Sequence, residues 1–90
     1  MCSLKYSSRF KKDLKRFRHN RQALFELEKI LDRLIRGDKL PERNCSHRLQ
    51  GEFKGCYECH IRPDMLLIYK IEKSELILLL LRVGSHAELF

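Results

Sequence analysis

Three of the four histidines occupy positions from which an imidazole ring could perform acid–base chemistry. His60 lies on the polar side of a predicted strand, His47 begins a shorter strand, and His86 follows the last one. With a reference pKa of about 6.5, an imidazole can accept or donate a proton near neutral pH. Each histidine alone is equally compatible with an ordinary surface role, which we expect for His19. Three of them on neighbouring strands, however, can converge on one open face of a sheet.

Cleavage of RNA is a reaction that such histidines can catalyse without a metal or a protein nucleophile, because the ribose 2′-hydroxyl attacks the adjacent phosphate. The reaction needs a base for that hydroxyl, an acid for the leaving 5′-oxygen and positive charge for the phosphorane. Lys54, Arg62 and Arg82 can contact phosphate oxygens, and Phe90 can stack on an unpaired base. The sequence contains no serine–histidine–carboxylate spacing, glycine-rich phosphate loop or carboxylate cluster that indicates another reaction.

The composition favours a polyanionic partner. The chain has 90 residues, with 19 Lys and Arg against 12 Asp and Glu, so its net charge is +7 with histidines neutral. Nucleic acid or an acidic protein would suit this charge, although surplus solubilising charge is an alternative. The hydrophobic fraction of 43% predicts a packed core, in a single domain covering residues 1–90. No apolar run is long enough for a membrane span and no signal segment begins the sequence, so we expect a cytoplasmic protein with no membrane partner.

The four cysteines, Cys2, Cys45, Cys56 and Cys59, raise disulfides and structural zinc as alternatives. A reducing compartment disfavours disulfides. Zinc would require Cys56 and Cys59 to point to the same site, together with Cys45 and His47. In a strand, residues three apart face opposite sides of the sheet, which argues against this geometry. We therefore predict no metal and no cofactor.

The elements that position these residues follow from hydrophobic periodicity. The first half of the chain has a helical period and the second half a strand period, which indicates a segregated α+β fold. Residues 2–6 are a candidate strand, and Ser7 or Ser8 can cap a first helix. A second helix is expected from about Arg21 to Arg36, ended by Gly37 in the left-handed conformation. These helices should form an antiparallel hairpin.

Four further strands are predicted over residues 46–50, 56–62, 65–72 and 76–83, separated by turns. In the second of these, Glu58, His60 and Arg62 share one face, opposite three apolar side chains. The predicted order is β-α-α-β-β-β-β. The helical hairpin would pack on one face of a twisted, mainly antiparallel sheet of four or five strands, leaving the other face free to carry the histidines.

Three segments of the chain resemble the YafQ branch of the RelE-type bacterial toxins. They are residues 45–51 with Lys54-Gly55, residues 60–69 and residues 84–90. Residues 6–13 are similar as well, so the resemblance extends over nearly the whole chain. It implies the helix-pair-on-sheet fold and a messenger-RNA endonuclease of a type II toxin–antitoxin system, commonly acting in the ribosomal decoding site. It also implies an acidic, partly disordered antitoxin as partner, with DNA contacted only through that complex.

The resemblance also implies roles for individual residues. The positions that match the family's catalytic residues are His47, His60, Asp64 and His86. His86 resembles the general acid, whereas the base, orienting and charge-stabilising roles are shared among the other three without a division. Phe90 matches the family's aromatic residue near the C-terminus, and Arg82 is suited to the scissile phosphate.

A basic protein that binds RNA or an antitoxin without catalysis is the alternative function. The net charge of +7 is sufficient for such binding. Met65 also departs from the family, since close YafQ relatives often carry tryptophan there, and methionine stacks less well on a base. Met65 could instead fill a gap in the core, and Asp64 could be a simple turn residue.

Overall fold

The computed structural model describes residues 3–90, arranged as five strands and three α-helices. The elements are β1 (Ser3–Tyr6), α1 (Ser8–Leu14), α2 (Arg21–Arg36), β2 (His47–Arg48), β3 (Tyr57–Arg62), β4 (Met65–Glu72), β5 (Ile77–Gly84) and α3 (His86–Leu89). Three short 3₁₀ turns lie at Lys15–Phe17, Glu42–Asn44 and Gly51–Phe53. Cys2, which belongs to the first predicted strand, lies outside the described residues. Over residues 3–90, no helix combines the length and the apolar character needed to cross a bilayer.

The first helix begins at its predicted serine cap, and the second begins and ends as the sequence predicts. Ser7 caps α1, since its hydroxyl accepts a hydrogen bond from the Phe10 amide at 2.9 Å and donates one to the Leu81 carbonyl at 2.7 Å. Asn20 caps α2, and Gly37 ends it with a φ of 78°. The buried residues of α2 recur every three or four positions, which gives the helix one apolar face: Ala23, Leu27, Ile30 and Leu34.

The sheet has the strand order β1-β5-β4-β3-β2, in which β1 is parallel to β5 and the other neighbours are antiparallel. This arrangement confirms the predicted α+β fold with a mainly antiparallel sheet. The predicted strand over 46–50 shortens to two residues because the chain turns into the Gly51–Phe53 3₁₀ turn. The last strand begins one residue later than predicted, since Leu76 adopts a φ of 54° at the end of the preceding turn.

Both faces of the sheet carry apolar clusters, although of unequal size. The main core lies between the sheet and the helices α1 and α2. A smaller cluster covers the opposite face, formed by Cys56, Leu66, Ile68 and Leu89, with Leu49, Phe53 and Leu81 packed against it. The prediction that this second face is free was therefore wrong for its centre. Leu66 and Ile68 point away from α1 and α2. Leu89 of α3 and Phe53 of the Gly51–Phe53 turn shield them from water instead.

Candidate active site

The strand register brings the predicted histidines to one end of the sheet. His47 of β2 is paired with Glu58 of β3, and His60 is paired with Leu66 of β4, which is paired with Gly84 of β5. Neighbouring strands lie about 4.8 Å apart, so the backbones of His60 and Gly84 are separated by about 10 Å. His86 follows two residues beyond Gly84. His47 and His60 thus lie on β2 and β3 at one edge of the sheet, whereas His86 follows β5, on the other side of β4.

A buried carboxylate lies between two of these histidines. Oε1 of Glu58 is 3.4 Å from Nε2 of His47 and 3.9 Å from Nε2 of His60, and the Glu58 side chain is only 7% exposed. The same carboxylate oxygen therefore faces a ring nitrogen of each histidine. Strand alternation placed Glu58 on this face, but nothing in the sequence alone indicated that it would contact both rings.

The backbone at Cys45 orients the ring of His47. Nδ1 of His47 lies 2.8 Å from the Cys45 carbonyl oxygen. Because a carbonyl oxygen only accepts hydrogen bonds, Nδ1 is the donor and carries a hydrogen. Cys45 has a φ of 47° and a ψ of 46°, a left-handed conformation that is uncommon for a residue other than glycine. The hydrogen bond to Cys45 restrains the ring of His47, whose Nε2 lies 3.4 Å from Oε1 of Glu58.

Asn44 holds the backbone at His60. Strand β2 is paired only with Tyr57 and Glu58, so the β3 edge beyond them has no strand partner. Nδ2 of the buried Asn44 donates a hydrogen bond to the His60 carbonyl at 2.6 Å. The 3₁₀ turn at Glu42–Asn44 thereby replaces the missing strand and fixes the position of His60.

His86 and Phe90 belong to an aromatic cluster at the C-terminal end. The ring of His86 lies 4.9 Å from that of Phe90, and Phe90 makes an edge contact at 5.7 Å with Phe53. Phe90 remains 53% exposed, so it has an open surface on which a base could stack. Phe53, which the sequence prediction missed, connects α3 to the loop that carries the exposed Lys54.

The remaining predicted residues differ in their placement. Asp64 is exposed in the turn between β3 and β4. The prediction that Arg62 shares a face with His60 was wrong, because a register shift between these residues turns Arg62 toward α2, where its Nε lies 3.3 Å from Oε2 of Glu26. Met65 is buried in the main core, which favours its interpretation as a core residue over a base contact.

Arg82 forms a two-point ion pair with Asp13 of α1. Nε of Arg82 donates to Oδ2 at 2.7 Å and Nη2 donates to Oδ1 at 3.0 Å, while the Val83 amide also donates to Oδ2. Burial alone would raise the pKa of Asp13, but the hydrogen bonds from Arg82 and Val83 outweigh it and lower the pKa. Nη1 is the guanidinium nitrogen that Asp13 does not engage.

Cys56 and Cys59 lie on opposite faces of the sheet, as the sequence predicts. Cys56 belongs to the smaller cluster and Cys59 to the main core. Burial raises the pKa of both thiols, that of Cys59 to about 12. Within residues 3–90, no group of three His, Cys, Asp or Glu side chains is arranged to hold a metal ion.

Comparisons with known proteins agree with this geometry. A family model described as a bacterial toxin of type II toxin–antitoxin systems, YafQ, matches residues 2–90. The mRNA interferase toxin YafQ of Escherichia coli K12 is 34% identical over 88 residues, covering 97% of this chain and 94% of that protein. A metal-bound toxin from Helicobacter pylori superposes with a TM-score of 0.92 at 41% identity, covering 100% of both chains. YafQ in the E. coli DinJ–YafQ complex superposes with a TM-score of 0.87 at 33% identity, covering 100% of this chain and 99% of that one. The resemblance seen in the sequence is confirmed, and the chain belongs to the YafQ family of toxins of type II toxin–antitoxin systems.

Proposed function

We propose that this toxin is an endoribonuclease that cleaves messenger RNA, the activity for which its E. coli relative is named. The observation that supports this most directly is the buried Glu58 carboxylate between His47 and His60, at the end of the sheet where His86 also lies. Such an arrangement supplies oriented proton-transfer groups on two sides of a space where a phosphate can bind.

In the proposed reaction, the ribose 2′-hydroxyl attacks the adjacent phosphorus and the 5′-oxygen leaves. His86 protonates that leaving oxygen as the general acid. His47, His60 and Asp64 share the base, orienting and charge-stabilising roles, with Glu58 holding the first two rings. The attacking and leaving oxygens lie on opposite sides of phosphorus, so in this proposal His86 and the base approach the phosphate from opposite sides.

Lys54, Arg82 and Phe90 complete the proposed RNA site. Lys54 is exposed beside the aromatic cluster and can pair with a phosphate. Arg82 can offer Nη1 to the developing charge while Asp13 keeps its other nitrogens in place. The exposed ring of Phe90 can stack on a base. Arg62 contacts Glu26, so we propose for it at most a peripheral role in RNA binding.

The test is cleavage of end-labelled RNA in EDTA, with and without ribosomes. We expect 2′,3′-cyclic phosphate and 5′-hydroxyl ends from the wild-type protein. His86→Ala should reduce the cleavage rate by roughly 10²- to 10⁴-fold with RNA affinity retained, because a general acid is lost. His19→Ala, which removes an exposed histidine in the turn between α1 and α2, is the matched control.

Two results would contradict this proposal. RNA binding without new ends in either condition would favour a non-catalytic binding protein. Full activity of His86→Ala would refute the assignment of the acid. The EDTA condition matters because the Helicobacter pylori relative has been described in a metal-bound form, so cleavage in EDTA separates the proposed histidine chemistry from a contribution of a metal ion.

The proposed partner is an acidic antitoxin. The E. coli relative forms a toxin–antitoxin complex with DinJ, and the net charge of +7 suits an acidic protein bound across this chain. We propose that DNA is contacted only through that complex, and that cleavage takes place in the cytoplasm on ribosome-associated messenger RNA. Co-purification with the product of a neighbouring gene, accompanied by loss of cleavage, would test the antitoxin. Cleavage that does not respond to any such protein would contradict it.

A further inference from the structure

Outside the histidines, two ion pairs connect the N-terminal helix to the segment that carries His86. Nη1 of Arg16, in the 3₁₀ turn after α1, lies 2.7 Å from Oε2 of Glu88 in α3. Next to this pair, Asp13 holds Arg82 of β5. The two pairs join α1 to both the last strand and the helix that follows it.

Glu88 also fixes the first turn of α3. Its Oε1 accepts a hydrogen bond from the Ser85 amide at 2.8 Å, and the Ser85 hydroxyl accepts one from the Glu88 amide at 3.2 Å. These two bonds form a capping box around the residues between them, of which His86 is the first. The two carboxylate oxygens thus have different partners, Oε1 within α3 and Oε2 at Arg16.

Gly84 allows Glu88 to approach the end of β5. A Cβ atom at this position would lie 3.0 Å from Oε1 of Glu88 and 3.4 Å from Cδ2 of Leu89. The backbone of β5 and the carboxylate of Glu88 are therefore in close contact. This contact is a second, independent sign that the orientation of Glu88 is built into the fold.

The helix α3 cannot hold its own position, because four residues are too few for an isolated helix to be stable in water. Its contacts include Leu89 in the smaller apolar cluster and Glu88 at Arg16. Leu89 anchors the helix to the sheet, and the ion pair with Arg16 adds a restraint on its orientation from the side of the N-terminal helix.

We infer that Arg16 and Glu88 are positioning residues for His86, which hold α3 in the orientation that directs its imidazole at the leaving oxygen. This inference rests on the proposed function of His86 as general acid. Both side chains are substantially exposed, at 52% for Arg16 and 38% for Glu88, so their pair contributes little to global stability. Its contribution is to geometry, where a displacement of about 1 Å can cost roughly 100-fold in rate.

The test compares Arg16→Met with Glu88→Gln. The glutamine keeps a side-chain oxygen for the Ser85 amide but removes the charge that faces Arg16, so it separates the ion pair from the capping box. We expect each variant to lower kcat by roughly 2- to 5-fold, the most that an exposed ion pair of this kind can supply, with KM for a short RNA and the melting temperature unchanged. The double variant should be no slower than either single variant, because both remove the same interaction. Arg16→Lys should recover part of the activity.

The matched control is Arg36→Met, which removes a similarly exposed ion pair with Asp32 on α2, away from the site. Unchanged kcat in Arg16→Met and Glu88→Gln would overturn the inference, and so would a loss that follows a fall in melting temperature. A second readout is the ring-current shift between Phe53 and Phe90 in NMR spectra, because their edge contact joins the C-terminal segment to the Gly51–Phe53 turn. This shift should change in both variants but not in the control. If the wild-type protein does not cleave RNA, the proposed function fails, whereas this shift still decides whether Arg16 and Glu88 position His86.

Discussion

Glu58 places one carboxylate between two histidines that belong to different strands. Its carboxylate is buried, and His47 and His60 are the imidazoles close to it. His47 has a second restraint at the Cys45 carbonyl, whereas His60 is held through its backbone by Asn44. The rings are thus oriented before any substrate binds, which is the condition for efficient proton transfer.

At this scale we predict the effect of Glu58→Gln, which keeps the size of the side chain but removes its charge. The amide would present an NH₂ group or a weaker acceptor to both rings, so their orientation would change. We expect the cleavage rate to fall by roughly 10²-fold with little change in RNA affinity. Single-turnover cleavage and RNA binding measure the two effects separately.

Glu72→Gln is the matched control, since Glu72 pairs with Lys70 on the exposed part of β4. Equal rates for Glu58→Gln and the wild-type protein would show that the carboxylate has no part in the reaction. An equal loss in both variants would show that the effect is not specific to the site.

The candidate site was predicted from the sequence in part. Strand alternation and strand ends identified His47, His60 and His86, because those patterns report which side of a sheet a residue occupies. Glu58 was on the predicted face, but strand alternation does not report the register between β2 and β3, which brings His47 opposite Glu58. Arg62 was misplaced because a register shift interrupts the alternation of β3, and such shifts leave no periodic signal.

At the scale of the elements, an ion pair between Asp13 and Arg82 connects α1 to β5. Both side chains are largely buried, at 5% and 14% exposed, and Asp13 also accepts a hydrogen bond from the Val83 amide. The first helix is short, so this contact and the Ser7 cap to the Leu81 carbonyl are what fix its direction across the sheet.

We therefore predict that Asp13→Asn lowers the free energy of unfolding by about 3 kcal/mol, since it leaves a largely buried guanidinium without its charge partner. Urea denaturation monitored by circular dichroism measures this change. Asp32→Asn, which removes an exposed partner of Arg36, should change the stability by less than about 1 kcal/mol. A similar loss in both variants would contradict the assignment of the large effect to burial.

The Asp13–Arg82 ion pair also predicts that the stability of the protein depends on pH. The pKa of Asp13 is lower in the folded chain than its unfolded value of about 3.9, so the folded state binds fewer protons at low pH. Its stabilising contribution is complete above that unfolded value and is lost as the pH falls through the folded pKa. The stability of the wild-type protein should decline more steeply below about pH 4 than that of Asp13→Asn. Parallel declines would refute this linkage.

At the scale of the whole molecule, periodicity was sufficient to predict the α+β fold, the bounds of α2 and β4, and the face that the helices cover. The smaller apolar cluster was not predicted, because Leu66 and Ile68 lie in a strand that is apolar on both faces. Such a strand indicates burial but does not indicate which element supplies the cover. That cover is α3, whose four residues are too few for a periodic pattern.

The net charge of +7 also permits a prediction at this scale, concerning RNA with a 2′-deoxy substitution that prevents cleavage. Each phosphate neutralised on a single strand contributes about −0.7 to the slope of log affinity against log salt. Lys54→Ala should make the slope less steep by about that amount. Lys73→Ala, at the opposite end of the sheet in the turn between β4 and β5, should leave it unchanged. Equal effects of the two variants would indicate non-specific attraction rather than binding at the site.

The different surroundings of Cys45, Cys56 and Cys59 have a practical consequence. Cys56 and Cys59 are buried with raised pKa values, so they are poor targets for alkylating reagents at neutral pH, whereas Cys45 is exposed. With Cys2 replaced by serine, a maleimide fluorophore would attach selectively two residues before His47. A dye at that position would report occupancy of the site in real time, by an oligonucleotide or by an inhibitor protein, without any need for turnover.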